Sequence, residues 1–517
     1  MTSKLISTEK AAALVKNGDT ITIAGFVGTG VPDELLIALE KRFFSEGNPR
    51  ELTLLFSAGP GDGKFRGLNR LAHIPLVKRI IGGHFGLIPK LGKLALNGEI
   101  EAYNIPQGLI THLYRDIASG KPGVFTKIGI GTFADPRIEG GKVNKNTHED
   151  LIKIIDVEGE EYLFIKTFPI NIAIIRGTTA DFVGNVSMER EALRLDNLAQ
   201  AMATKNSGGI VIAQVEKFLT HKKVNARKVE IPGAMVDAVV ISKPENHLQT
   251  YDVPYSPYLD GTKRNESTEE KSVELGLRKI VARRALLELP KEKKVVNLGI
   301  GMPETIADVA REEGRINSII LTAEAGVIGG QPAGGLSFGG AYNTDAIMSQ
   351  NQQFDFYDGG GIELAFLGMA QVSIRGDVNV SRFSDRLSGA GGFVNISSSA
   401  KNVVFCGTFT AGGLKIDIED GSLRIQQEGE STKFINQVQQ ITFSGSVASS
   451  LRKPVKYITE RCVFELVEDQ IELIEVASGI DIEKDILKKM EFLPLIRNVK
   501  LMDSKIFQQT PMRDTKG

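Results

Sequence analysis

A polar and β-branched alternation, a glycine turn and a helical pattern follow one another near the start of the chain. Residues 19–24, Asp-Thr-Ile-Thr-Ile-Ala, have the period of two that predicts a β-strand. The Gly28-Thr-Gly30 turn follows, and apolar positions at Leu35, Leu36 and Leu39 then predict a helix. This is the strand–turn–helix order of an open α/β domain.

The same order returns in the second half of the chain. Residues 294–298 predict a strand, the Gly299-Ile-Gly301 turn follows, and a helical pattern runs through residues 304–310. The next strand of each copy also matches, since residues 54–61 (Leu-Leu-Phe-Ser-Ala-Gly-Pro-Gly) align with residues 319–326 (Ile-Ile-Leu-Thr-Ala-Glu-Ala-Gly). We therefore predict an α/β protein with two tandem related open domains, Rossmann-like, produced by an internal duplication.

The two copies are separated by a segment without sustained periodicity. Residues 246–270 are rich in proline, tyrosine and charged residues, which is typical of a linker. We predict an N-terminal domain at 1–245, the linker at 246–270 and a C-terminal domain at 271–517. Within the C-terminal domain we predict further strands at residues 364–372, 402–406, 416–418 and 440–443. A chain of 517 residues is also too long for one hydrophobic core.

One carboxylate interrupts a run of small and apolar residues in the second copy. Residues 316–321 predict a buried strand, and Glu324 follows between Ala323 and Ala325, where the first copy has Gly59. Open α/β sheets bind ligands at the carboxyl ends of their strands. A carboxylate there would be partly desolvated, which suits a nucleophile or a general base. The alternative is an ordinary solvated glutamate.

Composition narrows the possible functions. The net charge is −1, which favours neither nucleic acid nor a membrane surface as a partner. The only cysteines, Cys406 and Cys462, form no metal-binding spacing, and a reducing cytoplasm is the expected compartment. All histidines precede residue 248, so neither a histidine-ligated metal site nor a Ser-His-Asp triad is expected around Glu324 from its own half. We expect no metal.

The glycine turns have two interpretations each. Backbone amides of Gly28-Thr-Gly30 and Gly299-Ile-Gly301 can hold an anion at a helix start, or the glycines can simply allow a tight turn. Neither turn is a dinucleotide fingerprint, because Asp33 and Glu304 occupy the third glycine position. The glycine block at residues 389–392 is either an oxyanion hole or a plain turn.

Gln107 is a further candidate for binding. It follows Pro106, and its amide would bind either a substrate carboxylate or its own loop. Residues 59–64 do not form a phosphate loop, because Phe65 stands where a hydroxyl residue would bind magnesium.

Together these motifs resemble the family I coenzyme A transferases, in the single-chain acetate/propionate type whose two halves are fused. The resemblance covers the chain from about residue 5 to beyond 490. The motifs that carry it are residues 25–32, 104–108, 132–142, 180–185, 297–301, 324–326, 368–372, 376–379 and 389–392. The fold that this implies is a pair of α/β domains of the CoA-transferase type.

The resemblance also implies a mechanism, a ping-pong transfer in which Glu324 attacks an acyl-CoA and then carries CoA as a glutamyl thioester. Coenzyme A is then a substrate and covalent intermediate rather than a permanently bound cofactor. Acyl-CoA and short carboxylic acids such as acetate, propionate and butyrate are the partners, and a homo-oligomer, dimer or tetramer, is expected. The implied roles are CoA binding by Asn297, Gly299, Ile300, Gly301 and Met302, an oxyanion contact by Gly391 and Gly392, and carboxylate binding by Gly28, Thr29, Gly30 and Gln107.

Other functions stay open at this point. An acyl-CoA hydrolase of the same fold would let water discharge the glutamyl-CoA intermediate. A non-catalytic protein that binds metabolites or sugar phosphates would not need the carboxylate of Glu324. A nicotinamide dehydrogenase is less favoured, because the dinucleotide fingerprint is missing.

Overall fold

The computed structural model describes residues 3–264 and 272–512, and contacts divide them into two compact units. The first unit contains residues 3–264, Ala323–Phe356 and Asp385–Asn395. The second unit contains residues 272–322, Tyr357–Ser384 and 396–512. Of the predicted linker, residues 246–264 belong to the first unit, and residues 265–270 lie outside the described chain. The domain limits at 245 and 271 stay a prediction.

The helices and strands are numbered here in chain order. The α-helices are α1 (Thr8–Ala13), α2 (Asp33–Glu46), α3 (Pro89–Leu96), α4 (Gln107–Ala118), α5 (Asn197–Asn206), α6 (Leu277–Leu286), α7 (Thr305–Glu312), α8 (Gln350–Phe356), α9 (Phe393–Ser399) and α10 (Gly445–Ser450). The strands before residue 265 are β1 (Thr20–Ile23), β2 (Leu52–Phe56), β3 (Val77–Gly82), β4 (Glu101–Asn104), β5 (Gly123–Thr126), β6 (Ile152–Val157), β7 (Glu160–Lys166), β8 (Ile172–Asp181), β9 (Val186–Ser187), β10 (Ile210–Leu219) and β11 (Ala238–Ile241). The strands after residue 271 are β12 (Lys294–Leu298), β13 (Ile319–Ala323), β14 (Val327–Ile328), β15 (Gln331–Pro332), β16 (Ala341–Tyr342), β17 (Ala346–Ile347), β18 (Leu364–Gly368), β19 (Gln371–Val372), β20 (Val378–Asn379), β21 (Arg382–Phe383), β22 (Arg386–Leu387), β23 (Asn402–Cys406), β24 (Thr410–Ala411), β25 (Lys415–Glu419), β26 (Ser422–Gln427), β27 (Ser431–Thr432), β28 (Val455–Ile458), β29 (Cys462–Val467), β30 (Gln470–Val476) and β31 (Leu495–Leu501).

A parallel sheet forms the centre of the first unit. Its strand order is β11-β10-β8-β1-β2-β3-β4, and every neighbouring pair in that order is parallel. A smaller antiparallel sheet, β5-β7-β6, belongs to the same unit. Strand β8 is buried at all of its positions, as expected for a strand covered on both faces. The loops after β1, β2, β3 and β4 therefore leave the sheet at one edge.

The second unit repeats the parallel arrangement and extends it. Strands β13-β12-β18-β23-β28 run parallel in that order, and β29 and β30 then continue the sheet antiparallel. The final strand β31 pairs with β30 in parallel. Buried Val296, Phe366 and Val404, on three neighbouring strands, belong to the same hydrophobic core. In each unit a strand, a glycine turn and a helix are followed by a strand parallel to the first, so the predicted α/β class is confirmed.

Two predicted strands are wrong in part. Residues 440–443 were expected to form a strand, but the N–H groups of Thr442 and Phe443 both bond to the carbonyl of Val378, so no ladder can extend. The first half of the predicted strand at 316–321 is the 3₁₀ turn Ile316–Ser318. The hydroxyl of Ser318 bonds to the carbonyl of Arg315 at 2.7 Å, which competes with strand pairing.

Within the described parts of the chain, no helix has the length and apolar character needed to cross a membrane.

A tight turn follows β13 and contains Glu324. The N–H of Gly326 donates to the carbonyl of Ala323 at 3.1 Å, so Glu324 and Ala325 form the corner of the turn. Gly326 has a φ of +115°, and a Cβ there would lie 2.1 Å from the carbonyl oxygen of Met348. The N–H of Met348 bonds to the carbonyl of Gly326 at 2.8 Å. Only glycine fits this position without moving the main chain.

We expect Gly326→Ala to destabilise the protein by about 1–3 kcal/mol, because alanine is strained at this φ and its methyl group meets main-chain oxygen. Gly334→Ala is the matched control, since its φ is −100° and a Cβ there meets nothing within 4 Å. The control should be neutral or stabilising by up to about 1 kcal/mol. Urea unfolding followed by far-ultraviolet circular dichroism measures both, and equal effects of the two substitutions would contradict this account of the turn.

Candidate functional site

The position of Glu324 is fixed mainly by the main chain around it. Its side chain is half-buried, while Ala325 is fully buried in an apolar cluster with Phe26 and Ala58. Burial raises the pKa of the Glu324 carboxyl above that of an ordinary glutamate, and a main-chain N–H offsets this in part. A carboxylate in such surroundings is poorly solvated and therefore more nucleophilic than one in water.

The first unit brings the loop after β3, the start of α4 and the glycine block at 389–392 together. The N–H of Gly391 donates to the carbonyl of Gly83 at 2.7 Å, and the N–H of Gln107 donates to the carbonyl of Gly391 at 3.0 Å. Asn104 supports the same place, because its amide donates to the carbonyl of Gly83 at 2.8 Å and accepts from the N–H of Ala390 at 3.1 Å. Two sequence-predicted residues, Gln107 and Gly391, are thus direct neighbours.

The side chains at this junction have unused hydrogen-bonding atoms. Gln107 is 1% exposed, and its Nε2 has no partner among the described residues. His84 lies beside it, since a Cβ at Gly391 would be 3.6 Å from Gln107 Oε1 and 3.8 Å from His84 Cδ2. Burial lowers the pKa of His84 to about 4, so the ring is neutral, and its Nδ1 also has no partner in the described chain. A neutral ring and an amide are suited to hydrogen-bonding a substrate oxygen.

The turn Gly28-Thr29-Gly30 is tight, and most of its main-chain N–H and carbonyl groups already form hydrogen bonds. The N–H of Thr29 donates to the carbonyl of Phe26 at 2.8 Å, and the carbonyl of Gly28 accepts from the N–H of Tyr251 at 2.8 Å. A Cβ at Gly28 would lie 2.3 Å from the carbonyl oxygen of Leu336, so the close approach requires glycine. The hydroxyl of Thr29 is buried without a partner among the described residues, which makes it the available group of this turn.

In the second unit, Asn297 holds the end of the strand that precedes Glu324. Its Nδ2 donates to the carbonyl of Thr322 at 3.1 Å and lies 3.3 Å from the hydroxyl of Tyr357. The hydroxyl of Tyr357 in turn donates to Thr322 Oγ1 at 2.8 Å. The amide nitrogen of Asn297 is therefore structural, while its Oδ1 has no partner among the described residues. Of the side-chain atoms of Asn297, only Oδ1 is available for the predicted binding of CoA.

The remaining residues of the second glycine turn are more accessible. Ile300 is 54% exposed, Gly301 has a φ of +86°, and Met302 packs against the core of the unit. The exposed guanidinium of Arg278 donates to the carbonyl of Gly301 at 2.9 Å. A helix start with an adjacent cation favours a bound anion.

Sequence reasoning missed His84 and Arg278. His84 follows Gly82 and Gly83 directly after strand β3, and a histidine after a pair of glycines could have drawn attention to it. Nothing in the sequence around Arg278 distinguishes it from the other arginines of its helix, since its contact with Gly301 depends on the fold.

The chain matches a family model over part of its length and two named relatives over nearly all of it. The model described as coenzyme A transferase matches residues 5–242. A caffeate CoA-transferase of Acetobacterium woodii is 43% identical over 514 residues, which cover 98% of each chain. The acetate CoA-transferase YdiF of Escherichia coli K12 is 42% identical over 511 residues, which cover 98% of this chain and 96% of the relative.

The fold agrees equally well with a solved structure. The acyl-CoA transferase YdiF of Escherichia coli O157:H7, in a thioester complex with CoA, superposes with a TM-score of 0.92 at 41% identity, covering 99% of this chain and 97% of that one. The predicted fold type and the predicted activity, transfer of coenzyme A, are therefore confirmed. The protein belongs to the coenzyme A transferase family.

Proposed function

We propose that this enzyme transfers CoA between short-chain carboxylic acids, such as acetate, propionate and butyrate, by a ping-pong mechanism on Glu324. The observation that carries the proposal is the half-buried carboxylate of Glu324 at the corner of a turn whose main chain is fixed by Gly326 and Met348. A thioester needs a nucleophile of this kind, and the raised pKa of the carboxyl reflects its loss of solvation. Both the acetate and the caffeate enzyme among the relatives act on carboxylic acids, by their names.

The chemistry balances without any group beyond the two substrates. The carboxylate of Glu324 attacks the thioester carbonyl, the carbon–sulfur bond breaks, and CoA leaves as a thiolate, so that an acyl-glutamyl anhydride forms. The thiolate then attacks the glutamyl carbonyl and releases the first acid, which takes one oxygen from Glu324. A second acid reverses these steps and collects CoA. Water must be kept from the anhydride, because hydrolysis would end the cycle.

The oxyanion contact is assigned to Gly392 in this proposal. Both attacks place negative charge on a carbonyl oxygen, which main-chain N–H groups can stabilise. The N–H of Gly391 is already donated to Gly83 at 2.7 Å. In the described chain no hydrogen bond uses the N–H of Gly392, so Gly391 would act by shaping the loop and Gly392 by donating.

The other predicted residues are assigned to the acid or to CoA according to their unpartnered or exposed atoms. In the first unit, the hydroxyl of Thr29 and the amide of Gln107 would bind the acid, with Gly28 and Gly30 allowing the turn. In the second unit, residues 299–302 and Asn297 Oδ1 would bind CoA, and Arg278 would attract its phosphates. These assignments rest on unpartnered or exposed atoms at glycine turns.

We propose further that the enzyme is a cytoplasmic homo-oligomer. Cys406 and Cys462 are free and buried thiols, as is usual in a reducing compartment. Strand β31 ends the sheet of the second unit and exposes apolar side chains, with Leu501 70% and Ile496 45% exposed, and the nearby Leu493 is 71% exposed. An apolar edge strand is a surface that natural proteins usually cover, and a second copy of the chain is the proposed cover.

Incubation with acetyl-CoA or propionyl-CoA should produce a CoA-sized adduct on the peptide that contains Glu324, because the first half-reaction stops at the thioester when no second acid is present. Free carboxylic acid should discharge the adduct, and Glu324→Gln should prevent it. Intact mass and peptide mapping measure the adduct, with Glu363→Gln, a half-buried surface glutamate paired with Lys401, as the control.

Three other results are informative in different ways. Discharge by water as fast as by acetate would identify a hydrolase rather than a transferase. An adduct that still forms in Glu324→Gln would show that another residue is the nucleophile. Absence of any adduct with short acyl-CoA substrates would contradict the proposed mechanism.

Arg278→Gln should raise the KM for acyl-CoA by about 5- to 20-fold and leave kcat within about twofold, since a phosphate contact far from the reacting carbon stabilises ground state and transition state alike. Arg497→Gln is the control, because Arg497 is an exposed arginine of the same unit on β31. Steady-state kinetics at low ionic strength measures both. An unchanged KM in Arg278→Gln would remove this residue from CoA binding.

A further inference from the structure

Two buried glutamines in the first unit have side chains without hydrogen-bond partners. The amide oxygen and nitrogen of Gln350 and of Gln353 lack a partner among the described residues, whereas the nearby carboxylate of Asp196 is approached by the hydroxyl of Ser57 and the N–H of Asn351. Asp196 is 2% exposed and both glutamines are fully buried. A buried polar atom left unpaired costs about 1–3 kcal/mol, so four such atoms on two neighbouring glutamines require an explanation.

These residues are held together by the main chain. The N–H of Gln350 donates to the carbonyl of Leu195 at 3.1 Å, which joins the start of α8 to the residue before Asp196. Leu195 has a φ of +54°, an uncommon conformation for a leucine, and it directs the chain into α5. Gln350 and Gln353 are three positions apart on α8 and therefore share a face of the helix. The three side chains form what is here named the Asp196 cluster: Asp196, Gln350 and Gln353.

The Asp196 cluster lies close to the residues assigned to the acid. The hydroxyl of Ser57 hydrogen-bonds to the carboxyl of Asp196. The carbonyl oxygen of Ser57 lies on the other side, close to Gln107: a Cβ built at Gly83 would be 2.3 Å from that oxygen and 3.0 Å from Gln107 Cα. Ser57 therefore lies between Gln107 and Asp196.

A second connection leads to the same place from the helices. Phe354 follows Gln353, and its Cδ1 would lie 2.5 Å from a Cβ at Gly108, the residue after Gln107. Helix α8 thus meets α4 beside the proposed acid-binding amide.

A third connection leads to Glu324. The turn after Glu324 is bonded to Met348, two residues before Gln350, with 2.8 Å between the N–H of Met348 and the carbonyl of Gly326. The chain therefore passes directly from the neighbourhood of the nucleophile into the Asp196 cluster. The turn with Gly30 borders it too, since a Cβ there would be 3.1 Å from Leu195 Cδ1.

The chemistry of the cluster is that of a site for a neutral, oxygen-bearing group. Amides both donate and accept, and burial raises the pKa of Asp196 to about 7, with Ser57 and the N–H of Asn351 opposing that shift. A carboxyl of this kind is in large part protonated near neutral pH and then donates as well. Such groups match a hydroxyl, whereas an unsubstituted alkyl chain would leave the amides of Gln350 and Gln353 unpaired.

We propose that Asp196, Gln350 and Gln353 form a subsite that hydrogen-bonds a hydroxyl group on the carbon chain of the acid, and so select hydroxylated short acids over their unsubstituted parents. This inference rests on the proposed function, because it concerns the acid that exchanges CoA at Glu324. It assigns specificity to residues that lie outside the motifs for CoA transfer.

The test compares matched acceptor acids with acetyl-CoA as the donor: propionate with 2-hydroxypropionate, and butyrate with 3-hydroxybutyrate and 4-hydroxybutyrate. In the unmodified enzyme, kcat/KM for the hydroxy acid should exceed that for its parent at least tenfold in one or more pairs. Gln350→Met and Gln353→Met, which keep side-chain length, should each lower that ratio by about 5-fold or more, roughly the effect of one lost hydrogen bond to a buried group.

Controls separate specificity from stability. Gln214→Met replaces another buried glutamine of the first unit, whose amide bonds to the carbonyl of Asn246 at 3.0 Å, and it should leave the ratio unchanged. Asp196→Asn keeps donor and acceptor groups and should retain the ratio within about threefold, whereas Asp196→Leu should lower it. Circular dichroism shows whether each variant is folded.

The outcomes distinguish the subsite from the proposed function. A ratio near one for every pair in the unmodified enzyme would overturn the subsite while transfer to the parent acids still supports Glu324 chemistry. A high ratio that none of the cluster variants changes would also overturn it. Failure to transfer CoA to any acid, acetate included, would instead contradict the proposed function.

Discussion

The proposed chemistry depends on keeping one carboxylate poorly solvated and fixed in direction. Main-chain bonds do this for Glu324, because the turn from Ala323 to Gly326 closes on itself and is tied to Met348. Ala325, on the other side, is buried in an apolar cluster and cannot move without opening it. A flexible or fully hydrated glutamate would be a weak nucleophile and would admit water to the anhydride.

Parallel sheets explain why the candidate residues lie where they do. In the first unit, the loops that contain the Gly28 turn, Gly83, His84 and Gln107 all leave neighbouring parallel strands at their carboxyl ends. In the second unit, the Gly299 turn follows β12, and the neighbouring β13 runs parallel to it. Within each unit, parallel strands bring the same ends of distant segments to one edge, so short polar loops can supply groups for one ligand.

The sequence predicted the parts of this arrangement that local patterns encode. Strand β1, helix α2, strand β12 and the turns at Gly28 and Gly299 follow from alternation, helical spacing and glycine. The resemblance to a family supplied the activity, which the relatives confirm. Interactions between distant residues could not be predicted in this way. His84 beside Gly391 and Arg278 on Gly301 depend on packing that no period in the sequence records.

The Asp196 cluster illustrates the same limit. A glutamine pair three positions apart is ordinary in a sequence, and only burial without partners makes it a candidate for binding. Strand prediction failed at residues 440–443 for a related reason, because both N–H groups there are drawn to a single carbonyl on another segment. Local propensity was overruled by a long-range bond in that case.

The most direct test of the central claim follows oxygen into Glu324. When a second acid labelled with ¹⁸O in its carboxylate discharges the glutamyl-CoA thioester, the proposed steps leave one of its oxygens on the enzyme. After a single turnover with acetyl-CoA and labelled acid, mass analysis of the Glu324 peptide should therefore show replacement of one ¹⁶O by ¹⁸O. An unlabelled Glu324 after CoA has been transferred to the labelled acid would show that the acids exchange CoA without this carboxylate and would contradict the account.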